Sequence, residues 1–101
     1  MAHPSKRKGN RFEREIVNEA EDYGVPSERA YASNGRALGF TENVDCLIGG
    51  YKVQAKRRKK IAGYMKPDED VDIQVIRGDN EQSLAVLPYA KLLELIRLAG
   101  T

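Results

Sequence analysis

Residues 44–60 read VDCLIGGYKVQAKRRKK, and the alternation in this stretch decides how the rest of the chain is arranged. Gly49-Gly50 is a tight-turn pair between two apolar runs, which predicts a hairpin with strands over 44–48 and 51–57. With Ile48 facing Tyr51, paired residue numbers sum to a constant, and Asp45 falls opposite Gln54. Side chains alternate along a strand, so Val44, Cys46 and Ile48 share an apolar face with Tyr51, Val53 and Ala55. The other face carries Asp45, Lys52, Gln54 and Lys56. Opposed side chains have Cβ atoms roughly 5 Å apart, near enough for Asp45 and Gln54 to share one metal ion.

Upstream, the apolar spacing predicts a helix over 10–23, with Asn10 as N-cap and Gly24 as stop, preceded by a flexible basic lead-in over 1–8. At about 100° per residue, Phe12, Ile16, Val17, Ala20 and Tyr23 form one arc, and Glu13 lies inside it. A carboxylate on a core-facing arc is costly without a cation or hydrogen-bond donors. Glu13 is therefore the helix acid expected to point toward the hairpin.

Downstream, residues 32–43 read as a loop, and a further helical turn is expected in the 60s. Strands follow over 71–76 and 84–87, the unbroken apolar run of the latter suiting a central position. After Pro88 a helix over 89–99 closes the chain. The predicted order is α-β-β-β-β-α, an α/β fold with a central mixed sheet of about four strands flanked by helices.

The chain has 101 residues, the length of one domain with a single modest core. With 41% hydrophobic and 32% charged residues, it is charge-rich but carries enough apolar surface to fold. No apolar run approaches the roughly 18 residues that span a bilayer, so a cytoplasmic protein without membrane contact is expected. Cys46 is alone, which excludes an internal disulfide.

The net charge of +2 conceals a division: residues 1–66 hold fourteen Lys/Arg against eight Asp/Glu, and residues 67–101 hold three against seven. The cations cluster in two groups, one with Lys6, Arg7, Lys8, Arg11 and Arg14, the other with Lys52, Lys56, Arg57, Arg58, Lys59 and Lys60. Such clusters beside a metal site point to a phosphate backbone as partner. The chemistry that fits is metal-assisted phosphodiester hydrolysis. Hard oxygen donors suit Mg²⁺, with Mn²⁺ as substitute, and Lys56 would orient the attacking water or neutralise the phosphate.

KGNRFEREIV, then VD, then VQAKRRKK resembles the archaeal and phage Hjc-type Holliday junction resolvases of the PD-(D/E)XK nuclease superfamily. The resemblance covers about residues 8–60 and implies a restriction-endonuclease-like core. Carried over by motif, the metal site falls on Glu13, Asp45, Gln54 and Lys56, with the backbone carbonyl of Ala55 as a further ligand. It also implies DNA contacts from Arg14, from Arg29 and, by position, from Ser33. The chain departs from the family at Gln54, where the family has glutamate; an amide oxygen can coordinate a hard cation but brings no negative charge.

The resemblance further implies a homodimer that cuts four-way junctions with two symmetric nicks. In the closing helix Leu92, Leu93, Leu95, Ile96, Leu98 and Ala99 cover about 220° of the wheel, wider than one core-facing stripe needs, which fits either a face for a symmetry mate or a deeply buried terminal helix. The expected function is a Mg²⁺-dependent DNA endonuclease acting on branched junctions. The alternatives are a nuclease of broader specificity and a nucleic-acid-binding module without cleavage.

Overall fold

A computed structural model describes residues 4–30 and 39–100 of the chain. It is a mixed α/β structure with the order α1 (Pro4–Asp22), β1 (Ser27–Arg29), β2 (Cys46–Ile48), β3 (Tyr51–Val53), a 3₁₀ turn (Gly63–Met65), β4 (Gln74–Ile76), β5 (Leu84–Val86) and α2 (Tyr89–Gly100).

Helix α1 starts at Pro4, six residues before the N-cap expected at Asn10, so part of the expected lead-in is helical. Proline suits a first helical turn, where its missing N–H would lack a helical partner anyway. The stop lies at Gly24, as its φ of +78° allows. Gly24 N–H donates to the Glu21 carbonyl and Val25 N–H to the Ala20 carbonyl, both at 2.9 Å. These paired bonds form a Schellman cap, and the buried Ala20 and Val25 supply its apolar contact.

Among the described residues the strands form two antiparallel sheets rather than the single four-stranded sheet the sequence suggests. One has the order β1-β2-β3 and the other pairs β4 with β5. β1 is the unexpected element, running Ser27 to Arg29 against Ile48 to Cys46. It carries no apolar pattern to announce it. Its placement comes from elsewhere: Gly49 N–H donates to the Pro26 carbonyl at 2.7 Å, and Ser27 Oγ donates to the Val17 carbonyl of α1 at 3.0 Å.

The hairpin register is the one expected, Ile48 opposite Tyr51 and Cys46 opposite Val53, although both strands are shorter than 44–48 and 51–57. Gly49 and Gly50 take φ of +57° and +86°, the two positive values of a type I′ turn. Gly49 is needed for a second reason. A Cβ there would lie 2.7 Å from Ile96 Cγ2 and 3.2 Å from Val25 Cγ1, so the hairpin tip seats against α2 only without a side chain.

The core gathers Ile16, Ala20, Val25, Cys46, Ile48 and Leu93, joining α1, the three-stranded sheet and α2. Tyr89 Oη donates to the Ile16 carbonyl at 2.8 Å and fastens the start of α2 to α1. Strand β5 is not central: Leu84 is 58% exposed and pairs only within the β4–β5 ribbon, where Val75 is 68% exposed. An apolar run of this length reads as buried when no neighbour is known, and here the ribbon lies apart from the core. Among the described residues no helix is long and apolar enough to cross a membrane.

Candidate active site

Among the described residues Glu13 is the buried charged one, 4% exposed, about one helical turn before the buried Ile16 and two before Ala20. Its arc position is the one the helical wheel assigns. The flanking Arg11, Arg14 and Glu15 are all exposed, as residues off that arc should be.

Asp45 sits where the hairpin ladder ends. Its backbone N–H donates to the Val53 carbonyl at 2.8 Å, and its own carbonyl accepts from Ala30 N–H at 2.9 Å. In a continued register Asp45 and Gln54 would be a non-hydrogen-bonded pair with the Asp45 N–H turned toward β1, so the bond to Val53 marks a one-residue slip, a bulge with Asp45 and Cys46 both opposite Val53. Direct opposition of Asp45 and Gln54 is replaced by another tie: Asp45 Oδ2 accepts a hydrogen bond from Ala55 N–H at 2.7 Å. The carboxylate thus grips the backbone between Gln54 and Lys56.

Both carboxylates act on one buried group. Cys46 is fully buried, and its thiol pKa is pushed up to about 11, first by burial and then by the charges of Asp45 and Glu13, with Arg29 acting in the opposite direction. Glu13, Asp45 and Arg29 therefore all lie within electrostatic range of one sulfur. Arg29 is opposite Cys46 in the β1–β2 pair, and residues in register share a face. Its Nε is buried with no hydrogen-bond partner among the described residues.

Gln54 and Lys56 take a different position. Both are exposed, and both line a cleft of about 930 Å³ between α1, the hairpin and α2. Its floor is apolar, with Phe12, Ile16, Tyr51, Leu92 and Ile96, and Glu15 and Glu19 stand on the α1 side. Neither Glu13 nor Asp45 lines it. Asp45 is thus tied to the Gln54-Ala55-Lys56 segment, whose amide and ammonium stand on the cleft side. The cleft itself is foreshadowed in sequence only by the wide apolar arc of the last helix.

Lys56, Arg57, Arg58, Lys59 and Lys60 are all exposed, as a phosphate-contacting run requires. Lys52 Nζ lies 5.2 Å from the centre of the Phe40 ring, a cation–π contact that partly occupies its charge. Lys8 belongs to α1, with its side chain outside the described residues, and Ser33 also lies outside them.

The donors offered to a divalent ion are the Glu13 and Asp45 carboxylates, the Gln54 amide and the Ala55 carbonyl, all hard oxygens that fit Mg²⁺. Ala55 N–H occupies Asp45 Oδ2; a carboxylate has a second oxygen for a cation. Among the described residues no group of three His, Cys, Asp or Glu converges, and the expected set contains only two carboxylates. No family model, curated protein or solved structure matches the chain.

Proposed function

We propose that the chain is a metal-dependent DNA endonuclease with a core of the PD-(D/E)XK kind, acting on branched DNA such as four-way junctions. The observation that carries this reading is the hydrogen bond from Ala55 N–H to Asp45 Oδ2, 2.7 Å long. It binds the Gln54-Ala55-Lys56 segment to an aspartate that shares the surroundings of Cys46 with the buried Glu13. A strand acid and a Gln-x-Lys pair are thus tied together beside a run of exposed cations, with the helix acid in electrostatic range of the adjoining Cys46.

Glu13, Asp45, Gln54 and the Ala55 carbonyl would hold Mg²⁺. When bound, the ion stabilises charge developing on the phosphate and acidifies an attacking water. The chain's own residues do the rest. The backbone bond to Asp45 holds the segment that carries Lys56, whose ammonium neutralises a phosphate oxygen or orients the water. Arg29, whose buried Nε–H has no acceptor among the described residues, is suited to donate to a phosphate oxygen. The run 57–60 draws the backbone in by counterion release.

A second reading, nucleic-acid binding without cleavage, is favoured by one feature. Gln54 brings no charge and, with Lys56, lies on a cleft wall that Glu13 and Asp45 do not share. The deciding experiment offers a labelled four-way junction, a linear duplex and a single strand with Mg²⁺ or EDTA, beside Asp45→Asn. Paired nicks in the junction that vanish with EDTA and with the variant support the resolvase reading. Cleavage of every substrate supports a broader nuclease, and binding with no metal-dependent product supports the binder.

A further inference from the structure

Between Asp45 and Asp68 the chain carries no acidic side chain, while it carries seven Lys or Arg. Toward the end of this stretch stands Tyr64, 76% exposed. Its backbone is held firmly: Met65 N–H donates to the Ala62 carbonyl at 3.0 Å and Lys66 N–H to the Gly63 carbonyl at 3.1 Å. Gln74 of β4 donates its side-chain amide to the Tyr64 carbonyl. Three bonds thus fix the 3₁₀ turn while its aromatic ring remains in water. Tyr51 differs, although it too is exposed, because it lines the apolar cleft against α2.

We propose that Tyr64 is a stacking platform for an unpaired nucleobase, with residues 56–60 holding the phosphates that flank that base. The inference deepens the nucleic-acid reading above and rests on it. From Lys60 to Tyr64 is four residues, at most about 14 Å of chain, which matches roughly four stacked nucleotides at about 3.4 Å each. A ring and a cation run at this spacing can therefore meet one strand together. Bases inside a duplex have their faces covered by neighbouring pairs, so the ring selects an unpaired base, as found at a gap, flap or opened junction. Stacking tolerates any base because each has a π face.

The chain contains no tryptophan, so Tyr64→Trp introduces a single reporter at the proposed contact. Titrations in EDTA exclude cleavage and use oligo(dT), an abasic strand of equal length, oligo(U) and a duplex. The indole emission of Tyr64→Trp is quenched by oligo(dT) but not by the abasic strand; quenching by oligo(U) as well assigns the platform to both nucleic acids and supports it equally. Tyr64→Ala weakens oligo(dT) binding about 5- to 150-fold and leaves duplex binding within about twofold, whereas Tyr64→Phe keeps the wild-type affinity. Equal quenching by base-bearing and abasic strands, or equal weakening of every ligand by Tyr64→Ala, overturns the stacking role while leaving the nucleic-acid reading intact. A wild-type protein that binds neither strand nor duplex overturns both.

Discussion

Asp45 and Ala55 are joined across the end of a closed hairpin, carboxylate oxygen to backbone N–H, at 2.7 Å. Asparagine at position 45 keeps an oxygen acceptor for that N–H but loses the charge that would hold a cation. Asp45→Asn should therefore lose Mg²⁺ binding in titration calorimetry while its urea midpoint stays near wild type. Asp45→Ala leaves the Ala55 N–H without its partner and should lose about 1.5–3 kcal/mol of stability as well. Metal binding that survives Asp45→Asn would remove Asp45 from the ligand set.

Gln54 is the neutral member of that set. Gln54→Glu adds a carboxylate at nearly constant volume and should tighten Mg²⁺ by roughly tenfold, since ligand charge tunes affinity for hard cations. Calorimetry on the two proteins is the check. Unchanged affinity would mean that this exposed side chain does not reach the ion.

The two turn glycines should respond unequally. At Gly50 a Cβ meets nothing within 4 Å, so Gly50→Ala costs only the strain of positive φ, about 1 kcal/mol. Gly49→Ala adds a clash, with Ile96 Cγ2 2.7 Å from the new Cβ, and should cost about 2–4 kcal/mol. Denaturant midpoints measure both. Ile96→Ala makes room, so the Gly49→Ala penalty should shrink in that background; equal penalties in both backgrounds would mean that the hairpin tip does not seat on α2.

Cys46 should give stability a slope in alkali. Its thiol is raised from 9.0 to about 11 in the folded chain. Below pH 9 both states keep the proton and no slope arises. From 9 to 11 the unfolded chain loses its proton first, so stability falls as pH rises, by on the order of 2 kcal/mol in all; above 11 the slope ends. Tyr89, pushed up to about 12 by burial and then by Cys46 and Glu19, acts in the same sense from about pH 10. In Cys46→Ala the decline should begin only with Tyr89, which urea titrations between pH 8 and 12 will test.

The legible parts of this fold are those governed by local rules. Gly49-Gly50 set the hairpin register because both residues need positive φ, and Gly24 marked the helix stop for the same reason. Glu13 was legible as a buried acid because its apolar neighbours recur at helical spacing. Strand β1 was not: Ser27, Glu28 and Arg29 have no apolar alternation, and their pairing depends on hydrogen bonds to Val17 and Gly49, distant in sequence. Nor was the slip at Asp45, since alternation extends a ladder indefinitely while side-chain capture of the Ala55 N–H ends this one. The run at Leu84 to Leu87 misled because hydropathy measures preference for burial, and whether a partner surface arrives is decided elsewhere in the chain.

The ribbon of β4 and β5 contributes none of the buried residues, which come from α1, the segment around β1, the residues through β2, and Leu93. Its hydrogen bonds can open without disturbing that core. The molecule should accordingly keep two clocks for deuterium uptake: amides of Gln74–Ile76 and Leu84–Val86 exchange early, through local opening. Those of Cys46–Ile48 and the middle of α1 wait for the whole molecule to come apart.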